Sequence, residues 1–66
     1  MRVGETELQM VQRHVQQGEL IILRQHEIIA NLTSRNLPTD LAEDLLLNFE
    51  ATQLAHKDHL NRLISN

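Results

Sequence analysis

The sequence predicts an all-α protein: an antiparallel two-helix hairpin that dimerises into a four-helix bundle. Two long segments carry apolar residues at helical spacing, and one strong break separates them. Gly occurs twice and Pro once among 66 residues, which is too little turn-forming sequence for a fold of many strands. A hairpin core of this size supplies little net stability by itself, so a partner chain is expected.

The first helix is predicted over residues 5–36. Its apolar positions alternate in steps of three and four, and Ile21 and Ile28 widen this seam on one flank. Leu20 and Leu23 lie on the other side, so the middle of the helix is apolar nearly all round. The predicted seam consists of Leu8, Val11, Val15, Gly18, Ile22, Gln25, Ile29, Leu32 and Asn36.

The turn is predicted at residues 36–39. Asn36 tolerates the left-handed conformation that ends many helices, and Pro38 disfavours helical geometry at the residue before it. Thr39 or Asp40 is expected to cap the second helix. Asp40 and Glu43 also have the spacing of a capping box.

The second helix is predicted over residues 40–64. A short turn makes the two helices antiparallel neighbours, and the expected register places Gly18 opposite His56, with room for the imidazole ring. Gln25 and Gln53 fall on the seam, either as buried amides that fix the register or as side chains that reach solvent at its edge. The seam of this helix consists of Ala42, Leu46, Phe49, Gln53, His56, Leu60 and Leu63.

Surplus leucines beside the two seams predict a homodimer. A single hairpin would leave these side chains in water, whereas a second hairpin would cover them. The expected interface residues are Leu20, Leu23, Leu41, Leu45, Leu47 and Leu54.

The four histidines are the only plausible site residues. His56 and His59 are three residues apart and share one helix face, and the expected register places His14 opposite His59. Three imidazoles and a water form a known zinc arrangement, with Glu19 close enough in sequence to assist. The chain has no Cys and no Glu-x-x-His motif. We therefore expect histidines bonded to neighbouring side chains and no metal or other cofactor, with His14, His56 and His59 as the weaker metal-binding alternative.

Composition argues against several classes of function. The net charge of −3 argues against nucleic acid, which requires a basic surface. No apolar run is long enough to span a membrane and the first residues lack a signal sequence, so a cytoplasmic location is expected. A thin helical rod offers little room for a catalytic pocket, so no enzyme is expected.

The predicted function is therefore a self-associating protein–protein interaction module. Two alternatives stay open at this stage. One is a metal- or pH-sensing module that uses the histidines. The other is a small regulatory partner that binds a larger protein helix to groove.

One ordered set of residues extends over most of the chain, on both predicted helices. It consists of His14, Val15, Gly18, Glu19, Arg24, Gln25, Glu27, Ile28, Ile29, Leu32, Thr39, Ala42, Leu45, Leu46, Phe49, Glu50, Gln53, His56, His59, Arg62 and Leu63. In these residues the chain resembles a group of short bacterial proteins, many of them alphaproteobacterial, whose function is not assigned. The resemblance covers residues 14–63 and implies a helical hairpin without a known substrate. In that group, Gly and Asp stand where this turn has Asn36 and Pro38, and a basic residue stands at Leu60.

Overall fold

Two α-helices packed against each other make up the computed structural model, which describes residues 4–65. Helix α1 spans Glu7–Ser34 and helix α2 spans Asp40–Ser65. The hairpin measures 47 × 23 × 14 Å. The all-α class and the packed pair of helices are thus confirmed; the predicted start of α2 at residue 40 agrees, and the other bounds differ by one or two residues from the predicted 5–36 and 40–64. Within the described range, neither helix is long and apolar enough to cross a membrane.

A capping box starts α1 two residues later than predicted. The Thr6 hydroxyl oxygen accepts a hydrogen bond from the Gln9 backbone N–H at 3.1 Å. In return, the Thr6 backbone N–H donates to Gln9 Oε1 at 3.0 Å. The Thr-x-x-Gln spacing satisfies two backbone groups that a helix start leaves without partners, so Thr6 and not Glu5 defines the boundary.

A Schellman motif ends α1. Asn36 has a φ of 56°, which is the left-handed conformation expected of it. Its N–H donates to the Thr33 carbonyl at 3.1 Å, and the Leu37 N–H donates to the Leu32 carbonyl at 2.9 Å. The helix therefore ends at Ser34, and the chain turns back along the last turn of α1.

Thr39 occupies the N-cap position of α2. Its carbonyl accepts the first intrahelical bond, from the Glu43 N–H at 2.9 Å. Asp40 is consequently the first helical residue, so Thr39 and not Asp40 is the cap, and the predicted Asp40–Glu43 capping box is wrong. Asp40 and Glu43 instead lie in the first turn, where carboxylates interact favourably with the positive end of the helix dipole.

The core between the helices is small and partly polar. Among residues 4–65, the buried hydrophobic side chains are Val11 and Ala42, and the buried polar ones are Gln25 and Gln53. The other predicted seam positions are half-buried, apart from Leu8 and Asn36, which are exposed. The predicted seam is therefore confirmed along most of its length, but it encloses little apolar volume.

The register differs from the predicted one by about one helical turn. Gly18 faces Gln53 and not His56, and the His14 ring faces His56 and not His59. In both pairs, the partner on α2 lies three positions earlier in the sequence than predicted. The cause lies at the turn, because the Schellman motif returns the chain along α1 before α2 begins.

Candidate functional site

Gln25 joins α1 to the first turn of α2. Its side chain is only 6% exposed, and its Nε2 donates a hydrogen bond of 2.8 Å to the backbone carbonyl of Ala42. That carbonyl belongs to the facing helix, so the bond joins the two helices in the observed register. Sliding the helices by a turn would leave a buried amide without this partner, which is unfavourable.

Gln53 forms the reciprocal link from α2 to α1. The side chain is 4% exposed, and its Nε2 donates to the Val15 carbonyl at 2.8 Å and to Glu19 Oε1 at 3.1 Å. Both partners can only accept hydrogen bonds, so the amide atom that faces them is the nitrogen and not the oxygen. Of the two alternatives for the seam glutamines, burial is confirmed, and both amides link the helices in the observed register.

Gly18 provides the space that the Gln53 amide occupies. A Cβ added at this glycine would lie 2.6 Å from Gln53 Cδ and closer still to Gln53 Oε1. A glycine inside a helix is unfavourable by roughly 1 kcal/mol relative to alanine. This unfavourable residue therefore serves the close approach of a glutamine, and the predicted role of making room for His56 is wrong.

Glu19 extends the Gln53 link into an ion pair. Lys57 Nζ lies 2.9 Å from Glu19 Oε1. The hydrogen bonds from Lys57 and Gln53, together with the positive charge of Lys57, lower the pKa of Glu19 below its ordinary value of 4.5. The carboxylate thus helps to hold the two helices together as long as it is ionised.

Stability should depend on the charge of Glu19 in acid. Because its pKa is lowered on folding, the Glu19 contribution is present above about pH 4.5 and is lost as the pH falls through the lower pKa of the folded state. We expect Glu19→Gln to reduce the melting temperature near neutral pH and to flatten its fall between about pH 5 and 3. Thermal melts by circular dichroism at each pH test this. Glu50→Gln removes an exposed carboxylate of α2 as the control, and equal pH profiles for the two variants would contradict the role of Glu19.

The structure brings two of the three candidate histidines together. The ring centroids of His14 and His56 are 5.1 Å apart with an interplanar angle of 34°. His59 lies elsewhere, with its Nε2 3.1 Å from Glu7 Oε1. The predicted cluster of three imidazoles is therefore not formed. Within residues 4–65, no group of three or more His, Cys, Asp or Glu side chains could hold a metal ion.

A small pocket of about 110 Å³ lies beside the paired imidazoles. Gly18, Gln53 and both imidazole rings contribute to its lining. Its lining residues are His14, Gln17, Gly18, Ile21, Phe49, Thr52, Gln53 and His56.

An open apolar groove continues from this pocket along the same side of the hairpin. It has a volume of about 470 Å³, and Gln17, Ile21 and Phe49 line both spaces. The predicted widening of the α1 seam by Ile21 and Ile28 corresponds to this groove. We call this surface the groove face; its lining residues are Gln17, Leu20, Ile21, Arg24, Gln25, Ile28 and Phe49.

The six predicted interface leucines are exposed, but they do not share one surface. Leu20 belongs to the groove face, whereas Leu54 borders a shallow depression formed with α2 residues near Lys57 and Asp58. Leu45 and Leu47 are two residues apart and so point to nearly opposite sides of α2. A single interface would not cover all six. Their exposures are Leu20 67%, Leu23 57%, Leu41 80%, Leu45 47%, Leu47 65% and Leu54 68%.

Comparison with protein-family models, with curated proteins and with solved structures finds no match to this chain. The site described above therefore has to be interpreted from its own geometry.

Proposed function

We propose that this chain is a protein–protein interaction module that works as a homodimer, in which two hairpins pack through their groove faces into a four-helix bundle. The observation that carries the proposal is the groove itself. Leu20, Ile21 and Ile28 are 67%, 47% and 43% exposed and form one apolar surface beside Phe49. Contiguous apolar surfaces of this kind mark sites where proteins bind one another.

The small core supports the same proposal. With Val11 and Ala42 as the buried hydrophobic residues of the described range, most apolar side chains gain only part of their possible burial. Net stability is a small difference between large opposing terms, so a hairpin of this length benefits strongly from a second apolar contact. A second hairpin packed against the groove face supplies this second apolar contact and leaves the seam within each chain unchanged.

The surface area fits a dimer of ordinary size. The chain has an accessible surface of 5346 Å². A compact protein of its mass would have about 4,300 Å². The excess is about 1,000 Å², and a stable interface buries about 800 Å² from each partner. A second copy is thus large enough to cover what the hairpin leaves open, and groove face against groove face is the self-complementary arrangement that a two-fold dimer requires.

Two leucines of equal exposure provide the test. Leu20 is 67% exposed on the groove face. Leu54 is 68% exposed and lies five residues after Phe49, roughly 140° further round α2. We expect the wild-type chain to sediment at twice its 7.6 kDa mass at micromolar concentration. Leu20→Glu should sediment as a single chain, while Leu54→Glu should remain dimeric, because only the first places a charge inside the interface.

Sedimentation equilibrium measures both variants directly, with circular dichroism to compare helix content. A monomeric wild-type chain that is fully helical at micromolar concentration would contradict the homodimer and leave the groove for a different protein. Dissociation by Leu54→Glu but not by Leu20→Glu would contradict the assignment of the interface to the groove face.

A further inference from the structure

Arg24 places a positive charge in the middle of the apolar groove face. It follows Ile21 by three residues and precedes Ile28 by four, so the three side chains share one face of α1, and all three line the groove. The two isoleucines are 47% and 43% exposed, and Arg24 is exposed between them. Any partner that covers the isoleucines must therefore also cover a guanidinium group.

The hairpin itself supplies no carboxylate to this guanidinium group. Among residues 4–65, Arg24 takes part in no ion pair, and the basic side chains that do so are Arg13, Lys57, His59 and Arg62. Arginine keeps its charge in proteins, and taking an unpaired charge out of water is unfavourable. An interface over the groove face therefore favours a partner that brings a carboxylate to Arg24.

Glu27 is the carboxylate available at this surface. A shallow depression adjoins the groove, because Arg24 and Ile28 line both, and Glu27 lines this depression with them. In the part of the chain that the structure describes, Glu27 is the only carboxylate that lines the groove, the pocket beside the imidazoles or this depression. Glu27 is exposed and, like Arg24, forms no ion pair within residues 4–65, so the two side chains are not paired with each other inside one chain.

We propose that Arg24 of each chain pairs with Glu27 of a second copy in the groove-face dimer, and that these two residues select another copy of this chain as the partner. The inference rests on the proposed homodimer. A two-fold axis makes every contact reciprocal. Arg24 and Glu27 are roughly 4.5 Å apart along α1, so an axis between them, with the two α1 helices antiparallel, forms both ion pairs at once.

The same charges determine where the two α1 helices cross. A crossing centred on Arg24 itself would bring two guanidinium groups together, and one centred on Glu27 would bring two carboxylates together, both of which are unfavourable. Apolar contacts alone discriminate poorly between such positions. An arginine–carboxylate pair adds directional hydrogen bonds, so the reciprocal pairs favour one crossing position and one partner.

Charge reversal at the two positions tests the proposal. Arg24→Glu would place two carboxylates in each pair, and Glu27→Arg would place two guanidinium groups in each pair. Either variant alone should raise the dissociation constant of the dimer at least about tenfold. An equimolar mixture of the two variants should dimerise again, because each pair of the mixed dimer then holds one carboxylate and one guanidinium group. Sedimentation equilibrium measures all of these samples.

Glu50→Arg makes the same charge change as Glu27→Arg at an exposed position of α2 that does not line the groove, and it serves as the control. It should leave the dissociation constant within about twofold of wild type, and its mixture with Arg24→Glu should contain no mixed dimer by native mass spectrometry. If a charge variant loses helix together with its partner, circular dichroism should show that mixing Arg24→Glu with Glu27→Arg restores the helix content as well.

The outcomes separate this pairing from the homodimer itself. If both charge variants dimerise like wild type while Leu20→Glu is monomeric, the groove-face dimer stands and the pairing of Arg24 with Glu27 is wrong. A mixture of the two charge variants that stays monomeric would also overturn the pairing. A monomeric wild-type chain would instead overturn the homodimer and the pairing together.

Discussion

Gln53→Glu should destabilise the hairpin by about 3–5 kcal/mol at neutral pH, the loss typical of a buried charge without a partner. The substitution hardly changes the shape of the side chain but replaces the donating amide nitrogen by a carboxylate oxygen. That oxygen would face the Val15 carbonyl and Glu19 Oε1, which now accept hydrogen bonds at 2.8 and 3.1 Å. Lys57 does not relieve the repulsion, because it is already paired with Glu19.

Urea unfolding at one fixed protein concentration measures this loss, since the stability of an associating chain depends on concentration. Gln16→Glu makes the same chemical change at an exposed position of α1 and should alter the free energy of unfolding by about 0.5 kcal/mol or less. The deficit of Gln53→Glu should shrink in acid, where the new carboxyl is protonated and donates again. Equal unfolding midpoints for the two variants at neutral pH would show that the Gln53 amide does not hold the helices together.

The effect of Gly18→Ala on stability should depend on the residue at position 53. The substitution should destabilise the wild-type chain and stabilise a chain that carries Gln53→Ala. In the wild-type chain, the added methyl group collides with the Gln53 amide and must displace it. The lost hydrogen bonds, one of them to a carboxylate, outweigh the gain in helix propensity, so we expect a net loss of about 1 kcal/mol. In a Gln53→Ala background nothing needs to move, and the same substitution should stabilise the protein by about 1 kcal/mol.

A double-mutant cycle on these four proteins measures the coupling directly, and we expect about 2 kcal/mol between positions 18 and 53. Circular dichroism melts and urea titrations give the four free energies of unfolding. If Gly18→Ala stabilises the wild-type chain as well, the absence of a side chain at position 18 is not needed for the contact with Gln53.

The helices and their seam were predictable because they depend on local periodicity. Apolar spacing located both helices, and Asn36 with Pro38 located the turn. Three of the four helix boundaries were missed by one or two residues because cap geometry decides them. Thr6 with Gln9 had the spacing of a capping box in the sequence, and that signal would have placed the start of α1 correctly.

The candidate site was predicted only in part. His14 and His56 were candidates from the sequence, but their partnership with each other, and the exclusion of His59, depends on a register that shifts by one turn. The part played by Lys57 had no sequence signal, because an exposed lysine four residues after Gln53 is ordinary on a helix. The contact between Gly18 and Gln53 could be found only once the two helices were packed.

The amino-acid sequence by itself determined two amphipathic helices, a turn at Asn36 and the faces that meet. Each of these follows from interactions within a few residues along the chain. Only the tertiary structure decided how far one helix slides along the other, because a seam of repeating apolar residues tolerates several registers almost equally. In the observed register, two buried glutamines are each bonded to a backbone carbonyl of the other helix, and the same register brings the two imidazoles together.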